Sequence, residues 1–189
     1  MTGFTALLDA NILYPAPMRD IFLQMAADDV FRAKWTEDIH REWIDALIRN
    51  EPHRDRATLE HTRRLMDRAT RDCLVTGYEP LIPALNLPDP DDRHVLAAAI
   101  AGHCDVIVTC NLRDFPEDAV MPYGIEVLHP DTFLSNHLDL MPDPFCEAVR
   151  KIRERLVAPP ISVQDYLTIL AGLELIATAA ELARYSERL

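Results

Sequence analysis

Short apolar runs alternate with amphipathic stretches through most of the chain. Residues 4–8 (FTALL) have the length and type of a buried strand. Residues 19–28 read as a helix and 30–35 as a short strand, after which Thr36 is placed to cap the next helix. In that helix, running to about residue 50, Ile39, Trp43, Ala46 and Leu47 recur at helical spacing. Pro52 ends it, a charged helix follows over residues 55–70, and residues 73–76 predict another strand. LIPALNLPDPDD, punctuated by proline and aspartate, predicts a loop delivering the chain to a helix at about Asp91. That helix stops near Gly102, DVIVT is a β-rich buried run, and NLRDFPED is turn-like. Residues 125–128 predict a last strand and residues 130–137 a helix. Such alternation implies an α/β domain with a mainly parallel sheet.

The pattern changes at MPDP, residues 141–144, which suggests a boundary. Beyond it a helix to about Val157, the break APP and two short apolar-striped helices divided by Gly172 are expected, the first opened by a Ser162–Asp165 capping box. The expected organisation is therefore a sheet domain over 1–140 and a helical extension over 141–189, packed on the domain or on a partner.

Composition narrows the class. With 49% apolar residues a substantial core is available. There is neither an apolar run long enough for a membrane span nor a visible secretory signal, so a cytoplasmic protein is expected. Cys73, Cys104, Cys110 and Cys146 form no C-x-x-C pair and are expected as buried thiols. A net charge of −12 argues against a protein that simply coats nucleic acid, although bound cations would invert the field around its carboxylates. Ten of the 19 Lys and Arg residues fall between Arg32 and Arg71, interleaved with acids. A solvated helix surface accounts for most of them; Arg54, Arg56, Arg63, Arg64, Arg68 and Arg71 are candidates for a groove along a nucleic-acid backbone.

Candidate chemistry lies in the acids. Asp9 ends the first apolar run, with Asn11 two residues later, and ligands of open α/β sheets bind outside the carboxyl ends of the strands. Helical phase sets Glu42 beside the Ile39–Trp43–Ala46 stripe and turns Asp38 and Asp45 away. It aligns Asp92 with the face of Val95, Leu96, Ala99 and Ile100 and turns His94 outward. Asp89 lies one turn earlier. Asn111 and Asp114 follow directly on DVIVT. Any one of these acids alone is more simply a cap or a turn. Several inward or strand-end carboxylates in one small domain repel one another unless something pairs with them. A divalent cation does so economically, and oxygen-only donors suit Mg²⁺ or Mn²⁺ and phosphodiester hydrolysis.

LLDANILYP, HREWIDAL, DPDDRHVLAAAI and VTCNLRDF, in that order, resemble the PIN-domain ribonucleases, and among them the VapC-type toxins of bacterial toxin–antitoxin pairs. The resemblance spans roughly residues 4–138. It implies about five parallel strands with helices on both faces, Mg²⁺ or Mn²⁺, and endonucleolytic cleavage of RNA. By motif, Asp9, Asp92 and Asp114 would be metal ligands, with Asp89 competing with Asp92 for that role. Glu42 would bind metal or orient the attacking water, Asn111 would fix Asp114 or a phosphate, Thr109 would hydrogen-bond Asp9, and Asn11 would hold the turn. The resemblance further implies a small antitoxin partner and a homodimer. Two alternatives stand beside it: a catalytically silent PIN-like module that binds RNA or a protein, and a haloacid-dehalogenase-like phosphatase with Asp9 as nucleophile. In the latter, Asn11 replaces the proton-transferring acid.

Overall fold

The computed structural model describes residues 4–157 and 159–189. Four strands, β1 (Thr5–Leu8), β2 (Arg32–Lys34), β3 (Val106–Val108) and β4 (Glu126–Leu128), form one parallel sheet in the order β2-β1-β3-β4. Every residue of β1 and β3 is buried, as the near-continuous apolar runs require of central strands covered on both faces. The helices are α1 (Ala10–Leu13), α2 (Ala16–Ala27), α3 (Glu37–Asn50), α4 (Arg56–Ala69), α5 (Arg93–Ala101), α6 (Glu117–Val120), α7 (Pro130–Leu140), α8 (Pro142–Arg155), α9 (Val163–Gly172) and α10 (Ile176–Leu182).

Local chemistry explains the boundaries. Thr36 Oγ1 accepts from the Ile39 amide at 3.1 Å and so starts α3. Asp55 accepts from the Ala57 and Thr58 amides, starting α4. The Ser162 hydroxyl accepts from the Asp165 amide at 3.1 Å and donates to the Asp165 carboxylate at 2.6 Å, a variant capping box. At Gly102 a Cβ would stand 2.9 Å from the Val75 side chain and 3.0 Å from the Ala98 carbonyl, so a larger residue would have to displace its neighbours where α5 turns into β3.

The fifth strand expected at 73–76 is reduced to a single parallel bridge, Trp35 to Leu74. The Trp35 amide donates to the Cys73 carbonyl and the Trp35 carbonyl accepts from the Val75 amide, both at 2.9 Å, but the segment carrying Trp35 leaves the sheet at Thr36 to start α3, so no longer ladder forms. The loop after it carries two 3₁₀ segments, Glu79–Ala84 and Pro90–Asp92, and the latter places the start of α5 at Arg93.

The C-terminal helices pack on the sheet body. Asp131 at the start of α7 accepts from the Ala177 and Thr178 amides, each at 2.8 Å, and from the Thr178 hydroxyl at 2.7 Å. α8 lies along α2, where Lys151 pairs with Asp28 at 2.8 Å. Beneath them Phe133 packs on Phe22 and Phe31, with ring centroids 5.6 and 5.0 Å away. A second buried network joins α3 to α4. His40 Nδ1 accepts from Trp43 Nε1 at 3.0 Å, so its Nε2–H donates to Asp67 at 2.9 Å, and Asp67 also accepts from Trp35 Nε1. None of the four cysteines is in a disulfide; three are buried and Cys110 is partly so. Among the described residues no helix is long and apolar enough to cross a membrane.

Candidate metal centre

From β1 the chain crosses to β2 on one side, and it later enters β3 on the other side of β1. The crevice between β1 and β3 is therefore the topological switch point, the usual ligand site of an open α/β sheet. Register places Asp9 and Thr109 there together. The Asp9 amide donates to the Val108 carbonyl at 3.1 Å, and the Thr109 amide to the Leu128 carbonyl at 3.1 Å, so both side chains emerge just beyond the carboxyl ends of the strands.

Asp9 is buried and densely bonded. Oδ1 accepts from the Ala10 amide at 2.6 Å. Oδ2 accepts from Asn11 Nδ2 at 2.6 Å and from the Thr109 hydroxyl at 2.7 Å. Asn11 also donates to Thr109 Oγ1 at 2.9 Å and accepts from the Cys110 amide at 3.0 Å, so one amide side chain ties the two loops together. Burial pushes the Asp9 pKa up; the bonds from Thr109 and Ala10 oppose that, and the charge on Glu42 adds to it.

Asp92 sits at the start of α5 and makes no capping bond, unlike Asp89, whose carboxylate accepts from the Asp91 amide at 2.9 Å. Burial and the charges of Asp9, Asp114 and Asp89 together push the Asp92 carboxyl up to about 6. Asp114 is half-buried in the 3₁₀ turn Leu112–Asp114. Its amide donates to the Asn111 carbonyl, but the Asn111 side chain is exposed and makes no bond to it. Among the described residues none of Asp9, Asp89, Asp92 and Asp114 pairs with lysine or arginine. Arg93 instead donates to the Pro90 carbonyl at 2.8 Å.

His94 does not point outward. Its Nε2 lies 2.7 Å from Glu42 Oε1, and its side chain is 12% exposed. Burial lowers the His94 pKa, but the bond to Glu42 and the charges of Glu42, Asp38 and Asp9 outweigh burial, and the net direction is upward. The sequence phase failed because α5 has almost no outward face: Val95 to Ala99 are all buried. The run HVLAAAI carried that signal, since a helix apolar all round is an enclosed helix. Asp38 is likewise less remote than its phase indicates. Tyr78 donates to it at 2.6 Å from the segment folded back over α3, and that bond holds its carboxyl below the usual range.

The basic run does not line this crevice as a free groove. Arg54, Arg56 and Arg63 are engaged by Glu51, Asp45 and Glu37. Arg71 borders a cavity of about 440 Å³ with Thr5, Arg32 and His103, beside the opposite, amino end of the strands.

The donors fit a hard divalent cation: they are carboxylate oxygens, and among the described residues Asp9, Asp92 and Asp114 have no lysine or arginine partner, His94 meeting Glu42 alone. Among the described residues no three His, Cys, Asp or Glu side chains already stand within chelating range of one another. A closed protein cage is not required, because Mg²⁺ commonly takes one or two carboxylates and completes its shell with water and substrate phosphate.

Comparison with known proteins agrees with this architecture. The PIN-domain family matches residues 5–113, and the family described as the VapC50 C-terminal domain matches residues 130–184. A protein of Mycobacterium tuberculosis (strain ATCC 25618 / H37Rv) named "Putative ribonuclease VapC50" is 43% identical over 94 residues. That alignment covers 50% of this chain and 55% of the relative, so the similarity spans about half the length of each. No solved structure matches the chain. With residues 5–113, more than half of its length, matched, and with the parallel sheet in place, the chain belongs to the PIN-domain family.

Proposed function

We propose that the chain is a Mg²⁺- or Mn²⁺-dependent endoribonuclease, the toxin of a toxin–antitoxin pair, acting in the cytoplasm. The observation that carries this reading is the nearness of Asp9, Asp92 and Asp114, close enough to raise the Asp92 pKa and without a lysine or arginine partner among the described residues, at the crevice between β1 and β3. Family membership and the relative named as a ribonuclease support the substrate class.

Asp9, Asp92 and Asp114 would hold the cation, and Glu42 would reach it from α3. The cation, when bound, supplies positive charge to the scissile phosphate and lowers the pKa of the attacking water. The chain's own residues prepare for this. Asn11 and Thr109 fix the Asp9 carboxylate and leave Oδ1 with a single amide bond. Asn111 and Arg113, both exposed beside Asp114, are available to an incoming phosphate. Asn11 is committed to Asp9, Thr109 and the Cys110 amide, which argues against the phosphatase reading, where that position must transfer a proton.

The acidic crevice would attract a basic segment, as expected of an antitoxin arm, and a homodimer is part of the same reading. We also keep the division at residue 140: α7 ends at Leu140 and α8 begins at Pro142. The test is induced expression in a bacterial host. Growth arrest with discrete RNA cuts, both absent for Asp9→Asn, supports the reading. Normal growth with intact RNA contradicts it.

A further inference from the structure

Glu42 stands on the exposed side of α3, with 45% of its side chain accessible. A glutamate so placed has several rotamers open to it, and fixing one costs side-chain entropy. His94 is the one group that engages its carboxylate among the described residues, at 2.7 Å. The same contact is the one polar side-chain link between α3 and α5 among the described residues. The ring is well placed for this. It is largely enclosed at the first turn of α5, and its Nδ1 is buried without a partner, so among the described residues Glu42 is the group its polar atoms meet. A ring with one buried, unpaired nitrogen costs free energy, and an arrangement that keeps it is directed by what the other nitrogen does.

We infer that His94 is a positioning residue of the centre: its ring holds the Glu42 carboxylate at the first turn of α5, two residues from Asp92, so that a divalent cation meets an oriented oxygen donor from α3. Second partners of this kind fix the orientation of ligands that would otherwise swing free, and losing one typically costs 10–100-fold in metal affinity. The inference rests on the cation-binding reading above. It assigns His94 no contact with substrate.

The test is calorimetric titration of the full chain with Mn²⁺, comparing the native protein, His94→Ala, His94→Gln, Glu42→Gln and the His94→Ala/Glu42→Gln pair. Thermal melts verify that each variant is folded. The expected result is a loss of about tenfold in affinity for His94→Ala. His94→Gln, whose amide N–H reaches the place of Nε2, should recover most of it. In the Glu42→Gln background, His94→Ala should cost nothing further. Native affinity in His94→Ala, or the same loss with and without Glu42, overturns the inference while leaving the cation site standing. No Mn²⁺ binding by the native protein overturns both together.

Discussion

Replacing Asp92 by asparagine should stabilise the metal-free protein near neutral pH while abolishing its cleavage of RNA. Its carboxyl rises from 3.8 to about 6 in the fold, chiefly through burial and then through Asp9, Asp114 and Asp89. The folded state therefore binds that proton more tightly than the unfolded chain. Its stability falls as pH rises from about 4 to about 6 and stays reduced above. A shift of about two units corresponds to ~3 kcal/mol. Asp92 is only half-buried, and screening by solvent reduces this to ~1.5 kcal/mol. For a chain of this size that is a gain of about 3–6 °C in Tm for Asp92→Asn at pH 7.5 in EDTA. The assay is urea denaturation of both proteins at pH 4.5 and 7.5, with EDTA throughout. The gain should be largest at pH 7.5 and shrink as the wild-type carboxyl becomes protonated. A variant less stable than wild type at pH 7.5, or a difference independent of pH, would mean that Asp92 is a satisfied structural residue and not one of a set of mutually repelling donors.

Other perturbations probe the frame around the centre. Asn11→Ala removes bonds to Asp9, Thr109 and the Cys110 amide; thermal melts should register a loss of about 2 kcal/mol, and cleavage should drop with it. Unchanged stability would deny Asn11 its role as the tie between the loops. Asp67→Ala leaves the buried His40 Nε2–H and the Trp35 indole N–H without an acceptor, and denaturant titration should show about 3 kcal/mol lost. Removing residues 156–189 strips Thr178 and the Ala177 amide from Asp131 and uncovers α7; a lower Tm and aggregation on gel filtration are expected, and an unchanged monodisperse profile would mean that the tail is not part of this core.

What the sequence disclosed depended on how local its cause was. The caps at Thr36 and Ser162 are short-range chemistry, and the structure has both. Asp9 was legible because an apolar run that stops on an acid has a defined place in an α/β sheet. The Asp9–Thr109 bond joins residues 100 positions apart, and only the resemblance to known nucleases anticipated it. His94 was misplaced for a tertiary reason. Helical phase assumes one wet face, whereas α5 is enclosed on both sides, and a polar residue at its first turn is thereby delivered to Glu42. Residues 73–76 reach only a single bridge because the segment they pair with turns into α3 directly after Trp35, a tertiary cause that their own residue types do not carry.

The most direct test of the central claim is cleavage of total bacterial RNA in vitro, with the new ends sequenced. Native protein and Asp9→Asn are each incubated with Mg²⁺ or Mn²⁺, with EDTA, and with EDTA followed by excess Mg²⁺. The account predicts discrete cuts by the native chain that vanish in EDTA, return when Mg²⁺ is restored and never appear with Asp9→Asn. Cuts that persist in EDTA, or that Asp9→Asn makes equally well, would contradict it.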